Sequence, residues 1–149
     1  MILNEHNTPK LNGLVLAGGK SVRMGKAKEK INWHGKEQKF FAADLLKSFC
    51  ENVYISCREE QQDAENSEYK YLTDTFLNLG PLGGILTALR SDRETAWLVV
   101  ACDLPLLEKQ SLQFLIDSRD SEKVATTYKS PFDGLPEPLI TIWAPKSYP

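Results

Sequence analysis

The chain has 149 residues, 42% hydrophobic and 26% charged, with a formal net charge of −2. That composition suits one globular domain with a real core and excludes a whole molecule built for electrostatic binding of nucleic acid. The longest apolar runs, Leu14–Ala17 and Trp97–Cys102, fall far short of the roughly 20 residues that cross a bilayer, so no membrane segment is expected.

The N-terminal stretch MILNEHNTPK has neither the basic leader nor the apolar core of a signal peptide, and a cytoplasmic protein is expected. Leu11–Ala17 reads as a short buried strand that stops at Gly18-Gly19. From Lys20 to Lys39 the chain carries seven basic residues against two acidic ones, leaving the remainder acidic. Such a run is either a solvated basic loop or a segment that meets an anion. Gln38–Cys50 carries Phe41, Leu45, Leu46 and Phe49 on one face of an expected helix, and Asn52–Cys57 reads as a second strand. Arg58–Glu68 is polar and reads as an exposed connection, and Tyr69–Thr73 as a third strand ending at Asp74. Pro81 opens a helix whose apolar residues Leu82, Ile85, Leu86 and Leu89 follow at i, i+3, i+4 and i+7. Ala96–Cys102, almost continuously apolar, has the signature of a strand covered on both faces of a parallel sheet. A helix through Leu112, Leu115 and Ile116 and strands near Lys123–Tyr128 and Pro138–Trp143 complete the pattern. Alternating strands and helices predict a three-layer α/β/α sandwich with a mostly parallel, Rossmann-like sheet.

In such a sheet, ligands bind beyond the carboxyl ends of the strands, and three marked segments fall there. Leu16-Ala-Gly-Gly-Lys-Ser-Val-Arg-Met-Gly-Lys26 follows the first strand. Its paired glycines let backbone N–H groups approach phosphate oxygens, and Lys20, Arg23 and Lys28 supply cations. The plain alternative is a glycine turn with solvated lysines. The spacing is not that of a P-loop, because five residues separate Gly19 from Gly25 and Ala27 follows Lys26 where Ser or Thr would be needed. No G-x-G-x-x-G follows the strand either. In Ala101-Cys-Asp-Leu-Pro105, Asp103 ends the central strand as a hard oxygen ligand suited to Mg²⁺ shared with phosphates, or else caps a turn. Around Asp74 and Gly80–Ile85, the glycines Gly83 and Gly84 read as removing side chains where a ligand lies close; the alternative is an Asx turn beside a helix start. Three such loops on one edge, one cationic and two acidic, form an expected magnesium-nucleotide site. His34 reads as a turn residue, Trp97 and Trp143 as core, and Cys102 as buried packing. Three cysteines without C-x-x-C (Cys50, Cys57, Cys102) and two histidines (His6, His34) leave no disulfide framework or zinc cluster.

Taken together, Leu16–Gly25, Lys28, His34–Lys36, Asp74, Gly80–Ile85, Cys102–Pro105 and Glu137–Leu139 resemble the molybdenum cofactor guanylyltransferases. These lie within the wider nucleotidyltransferase superfamily with its GT-A-like, nucleotide-diphospho-sugar transferase fold. The resemblance runs from Leu11 to about Trp143, and Gly18, where cytidylyltransferase relatives usually have alanine, points to guanine. It implies that Leu16, Ala17 and Gly18 contact the base through backbone, with Gly19 beside them. It further implies that Arg23 and Lys28 contact the phosphates, that Asp74 lies in the nucleotide pocket, and that Asp103 binds Mg²⁺. Arg23, Lys28 and Asp103 are then the catalytic set. The implied reaction joins GTP to molybdenum-molybdopterin, giving the guanine dinucleotide cofactor and pyrophosphate, with transient contact with molybdenum cofactor biosynthesis or acceptor proteins. Two departures stand out. Ala27 precedes Lys28 where the family usually has Asp, and nothing corresponds to the family's Asn-x-Asn-Thr-Pro segment. Residues 1–149 are therefore expected to form a single nucleotidyltransferase domain that is C-terminally incomplete. A cytidylyltransferase of the same cofactor, a sugar-phosphate nucleotidyltransferase and a non-catalytic nucleotide-binding adaptor are the competing expectations.

Overall fold

The apolar runs of the sequence become the strands of one sheet. The computed structural model describes residues 10–17, 32–33, 36–57, 68–76, 79–102, 108–120, 122–129, 134 and 136–148. In chain order these form β1 (Leu11–Leu16), β2 (Asn32–Trp33), β3 (Lys36–Glu37), α1 (Gln38–Leu46), β4 (Asn52–Cys57), β5 (Lys70–Thr73), α2 (Pro81–Ser91), β6 (Ala96–Ala101), α3 (Lys109–Asp117), β7 (Ala125–Lys129) and β8 (Pro136–Trp143). A 3-10 turn follows at Pro145–Ser147.

Among the described residues, six strands lie in the order β5-β4-β1-β6-β8-β7, with β2 and β3 forming a separate antiparallel pair. β1 pairs in parallel with both β4 and β6, and β4 with β5. β8 runs antiparallel to β6 and to β7, so of these six strands it alone opposes the rest. The sheet is thus mostly parallel, as expected.

Side chains alternate between the two faces of the central strands, and each face takes helices. Val15, Leu98 and Val100 pack with Ala43 and Leu46 of α1 and Leu112 and Leu115 of α3. Leu14, Trp97 and Val99 pack with Ile85, Ala88 and Leu89 of α2. This is the three-layer arrangement. All six residues of β6 are buried, the physical reason for its unbroken apolar run. Fully burying each of Leu14, Leu98, Val99 and Val100 contributes about 1.5–3 kcal/mol, enough in sum to anchor the centre of the sheet.

Two helix faces differ from expectation. α1 buries Phe40, Ala42, Ala43 and Leu46, while Phe41, Leu45 and Phe49 are half-buried. Two adjacent alanines let the helix lie close to the sheet over Gly13, where an added Cβ would meet Leu46 Cδ1 at 3.0 Å. On α2, Leu82 is 49% exposed, because the first turn packs through Gly83 and Gly84 instead.

The amino edge of the sheet is tied by polar side chains. Asn12, 3% exposed, donates through Nδ2 to Asp92 Oδ2 at 3.2 Å and accepts from Asn52 Nδ2 at 3.5 Å. Lys70 Nζ donates to Asn52 Oδ1 at 2.9 Å. These links join the starts of neighbouring strands and leave the opposite, carboxyl edge to the loops that carry the marked residues. His34, the greater part of Arg58–Glu68 (residues 58–67) and the first loop from Gly18 onward lie outside the described residues.

Candidate active site at the carboxyl edge of the sheet

From β1 the chain crosses through α1 to β4 and then to β5 on one side, whereas β6 enters on the other side of β1. α1 and α2 cover opposite faces. The strand order therefore reverses between β1 and β6, and the crevice outside the carboxyl ends of two such strands is where open α/β sheets take ligands.

The structure places the sequence-predicted residues as follows. Leu16 is aligned with Ala101 on one side and Ser56 on the other, and its carbonyl accepts the Cys102 N–H at 3.2 Å. Leu16 is half-buried, and Ala17 and Cys102 are buried. The ends of β1 and β6 are thus brought side by side. Asp74 follows β5, whose end is separated from that of β1 by β4, roughly 10 Å by ordinary strand spacing. Gly18, Gly19, Lys20, Arg23, Lys28 and Asp103 lie outside the described residues. Among the described residues, no group of three or more His, Cys, Asp or Glu gathers to hold a metal ion.

Around Asp74 the geometry is detailed. Its N–H donates to Cys57 O at 2.9 Å, which docks the loop onto β4. Its Oδ1 accepts the Phe76 N–H at 2.8 Å, an Asx turn. The guanidinium of Arg90 lies 5.7 Å from the centre of the Phe76 ring.

Gly83 and Gly84 do not open space for a ligand. A Cβ on Gly83 would meet Phe76 O at 2.4 Å and Asp74 Oδ2 at 2.7 Å, and one on Gly84 would meet Ser56 Oγ at 2.7 Å and Leu16 Cδ2 at 2.9 Å. The expected emptiness is filled by the protein itself. The first turn of α2 is pressed against the ends of β1 and β4 and the Asp74 loop. Gly80, which precedes the helix, has φ +58°, a left-handed conformation suited to glycine.

Thr87 was not singled out by the sequence reading. It is 5% exposed and lies one helical turn beyond Gly83, where its hydroxyl meets the Asp74 loop. The signal was a lone hydroxyl on the apolar face of α2, since a buried hydroxyl calls for a partner.

Nucleophilic thiol chemistry has no support here. Cys57 and Cys102 are buried, and burial pushes the Cys50 thiol up to about 12 against the opposing influence of Arg119. A shallow groove on α3 is lined by Gln110, Gln113, Phe114, Asp117 and Ser118. Its carboxylate, Asp117, accepts a hydrogen bond from Gln113 at 2.8 Å, and among the described residues no cation lines it to meet a phosphate.

Residues 13–149 match the MobA-like NTP transferase domain family. A molybdenum cofactor biosynthesis bifunctional protein of Synechocystis sp. is 40% identical over 136 residues, covering 91% of this chain; the chain spans 39% of that protein's length. A probable molybdenum cofactor guanylyltransferase of Flavobacterium johnsoniae is 30% identical over 139 residues, covering 93% of this chain and 71% of that protein. The crystal structure of molybdopterin-guanine dinucleotide biosynthesis protein A from Archaeoglobus fulgidus superposes with a TM-score of 0.72 at 24% identity, over 91% of this chain and 68% of that one. That likeness shows the fold. With a family match extending from within β1 to the last residue, the chain belongs to the MobA-like NTP transferase family.

Proposed function

We propose that this chain acts in the cytoplasm as a molybdenum cofactor guanylyltransferase, transferring GMP from GTP to molybdenum-molybdopterin and releasing pyrophosphate. One observation carries the reading. β1 and β6 end side by side at the reversal of strand order, and each runs directly into a segment of the required chemistry. Leu16-Ala17 leads into Gly18-Gly19 and the cationic loop with Arg23 and Lys28, and Ala101-Cys102 leads into Asp103. The names of the Synechocystis and Flavobacterium relatives support the same substrate class.

In this reading the backbone of Leu16, Ala17 and Gly18 meets the guanine, Gly19 lets the chain approach the triphosphate, and Asp74 borders the nucleotide. The Leu16 carbonyl accepts the Cys102 N–H, and a carbonyl oxygen has two lone pairs. A terminal phosphate of the acceptor attacks the α-phosphorus in line, forming a new P–O bond as the bond from the α-phosphorus to the pyrophosphate bridge oxygen breaks. Lys28 and Arg23 neutralise charge on the α-phosphate and on the departing pyrophosphate. The attacking phosphate is already ionised near neutral pH, so a general base adds little. The donor set fits Mg²⁺: a carboxylate two residues beyond β6 in the sequence, together with phosphate oxygens, suits a small hard ion, and no nitrogen or sulfur donor is required. Held by Asp103, Mg²⁺ would supply polarisation of the α-phosphate and charge neutralisation. Hand-over of the product through transient contact with acceptor proteins belongs to the same proposal.

The test is pyrophosphate release with molybdenum-loaded molybdopterin and Mg²⁺, comparing GTP with CTP, ATP and UTP. Release with GTP alone is expected. Release with CTP alone would replace the guanylyl reading by a cytidylyl one, and stabilisation by GTP without turnover would favour a nucleotide-binding adaptor.

A further inference from the structure

Thr87 sits where α2 crosses behind the Asp74 loop. Its hydroxyl accepts the Thr75 N–H at 3.0 Å and lies 3.2 Å from Thr75 Oγ1. As a donor it has two acceptors in reach, Gly83 O at 2.8 Å and Asp74 Oδ1 at 3.2 Å. A threonine bonded to the carbonyl four residues earlier is an ordinary helical pattern, but the contacts to Thr75 and Asp74 reach off the helix. A hydroxyl has one hydrogen and two lone pairs: the Thr75 N–H takes one lone pair, and the single hydrogen is divided between Gly83 O and Asp74 Oδ1. Phe76 N–H holds Oδ1 from the other side at 2.8 Å. Among the described residues Oδ2 accepts no hydrogen bond, and Asp74 is half-buried.

We propose that Thr87 is a positioning residue for the nucleotide: through Thr75 N–H and Asp74 Oδ1 it fixes the rotation of the Asp74 carboxylate, leaving Oδ2 to accept from a nucleoside donor. This inference rests on the place given to Asp74 in the nucleotide pocket above. Removal of the hydroxyl leaves Asp74 Oδ1 tethered by the Phe76 N–H alone and takes the acceptor from the Thr75 N–H, while Lys28 and Asp103 follow other strands in the sequence. Nucleotide affinity therefore falls and the chemical step is spared.

The experiment measures GTP–Mg²⁺ binding by calorimetry, and KM and kcat for pyrophosphate release, on the full chain and on Thr87→Val, Thr87→Ala and Thr87→Ser. Thr87→Val is expected to raise Kd and KM for GTP about tenfold, the factor that one hydrogen bond to a binding carboxylate carries, with kcat nearly unchanged. Thr87→Ser restores the wild-type values. In an Asp74→Ala background the Val substitution has no further effect. An unchanged Kd in Thr87→Val, with wild-type chain that binds GTP, overturns the role of Thr87 and leaves the proposed function standing. Absence of GTP binding by the wild-type chain overturns both. If Thr87→Val and Thr87→Ala both fail to fold while Thr87→Ser folds, the hydroxyl serves the fold and the positioning role is overturned.

Discussion

Replacing Gly83 by alanine tests whether the close fit between α2 and the Asp74 loop is required by the fold. The added methyl would lie 2.4 Å from the carbonyl oxygen of Phe76 and 2.7 and 3.0 Å from the two Asp74 carboxylate oxygens. Backbone forms the shortest of these contacts, so no side-chain rotation relieves it. Either the first turn of α2 lifts off the ends of β1 and β4, or the loop moves. Overpacking of this kind costs about 1–3 kcal/mol. Against it stands the helix preference of alanine over glycine, at most about 1 kcal/mol in a helix interior and less in a first turn. The net expectation is a loss of about 1–2 kcal/mol, or a fall in Tm of roughly 3–6 °C for a chain of this size. Urea and thermal unfolding, followed by tryptophan fluorescence, measure it, and a parallel GTP titration should show weaker binding because Asp74 is the displaced neighbour. Gly84→Ala is the comparison. Its neighbours are the ends of the Ser56 and Leu16 side chains, which can rotate, so its cost should be the smaller of the two. A Gly83→Ala protein as stable as wild type, or more so, would refute the argument.

Lys28→Ala and Asp103→Ala should each lower kcat for pyrophosphate release by about 100-fold or more without lowering Tm, the size expected for a lost electrostatic contact in a transition state. Full activity in either variant would remove that residue from the catalytic set. Asp92→Ala strips partners from Asn12 Nδ2 and from the Glu94 N–H. Because Asn12 is buried, urea unfolding should show a loss of about 1–3 kcal/mol, with unchanged GTP binding since this edge is opposite the site. The Cys50 thiol, pushed up to about 12 by burial from an ordinary 9.0, stays protonated in the folded chain while it ionises in the unfolded one. The unfolded state thus binds fewer protons between those values, and stability falls as pH rises from about 9 toward 12. Burial raises the Tyr128 phenol in the same sense. Cys50→Ala should flatten the alkaline decline seen by urea unfolding at stepped pH, and an unaltered profile would contradict the burial argument.

The parts of the fold most legible in the sequence were those where burial leaves no choice. β6 is covered on both faces, and its apolar run marks it to within one residue. β4 falls on the expected Asn52–Cys57. The face of α1 was hidden because the helix is apolar nearly all round, so periodicity could not choose between Phe41 with Leu45 and Ala42 with Ala43. The reversed direction of β8 was legible in principle. Only residues 130–135 separate it from β7, too few for the dozen-residue crossover that a parallel neighbour needs. At the site, the alignment of Leu16–Ala17, Asp74 and Cys102 along one edge followed from parallel strands alone. The meaning of Gly83 and Gly84 did not, because a glycine pair reads alike whether a ligand or a neighbouring backbone fills the space. Thr87 escaped notice because its partners are brought to it only by tertiary packing.

The most direct test of the account is a crystal structure of the chain with GTP and Mg²⁺. Guanine is expected against the backbone of Leu16 and Ala17, the triphosphate directed to Lys28 and Arg23, and the ion on Asp103, all outside the carboxyl ends of β1 and β6. A nucleotide seated in the α3 groove beside Phe114, or at the amino edge near Asn12 and Asp92, would contradict it.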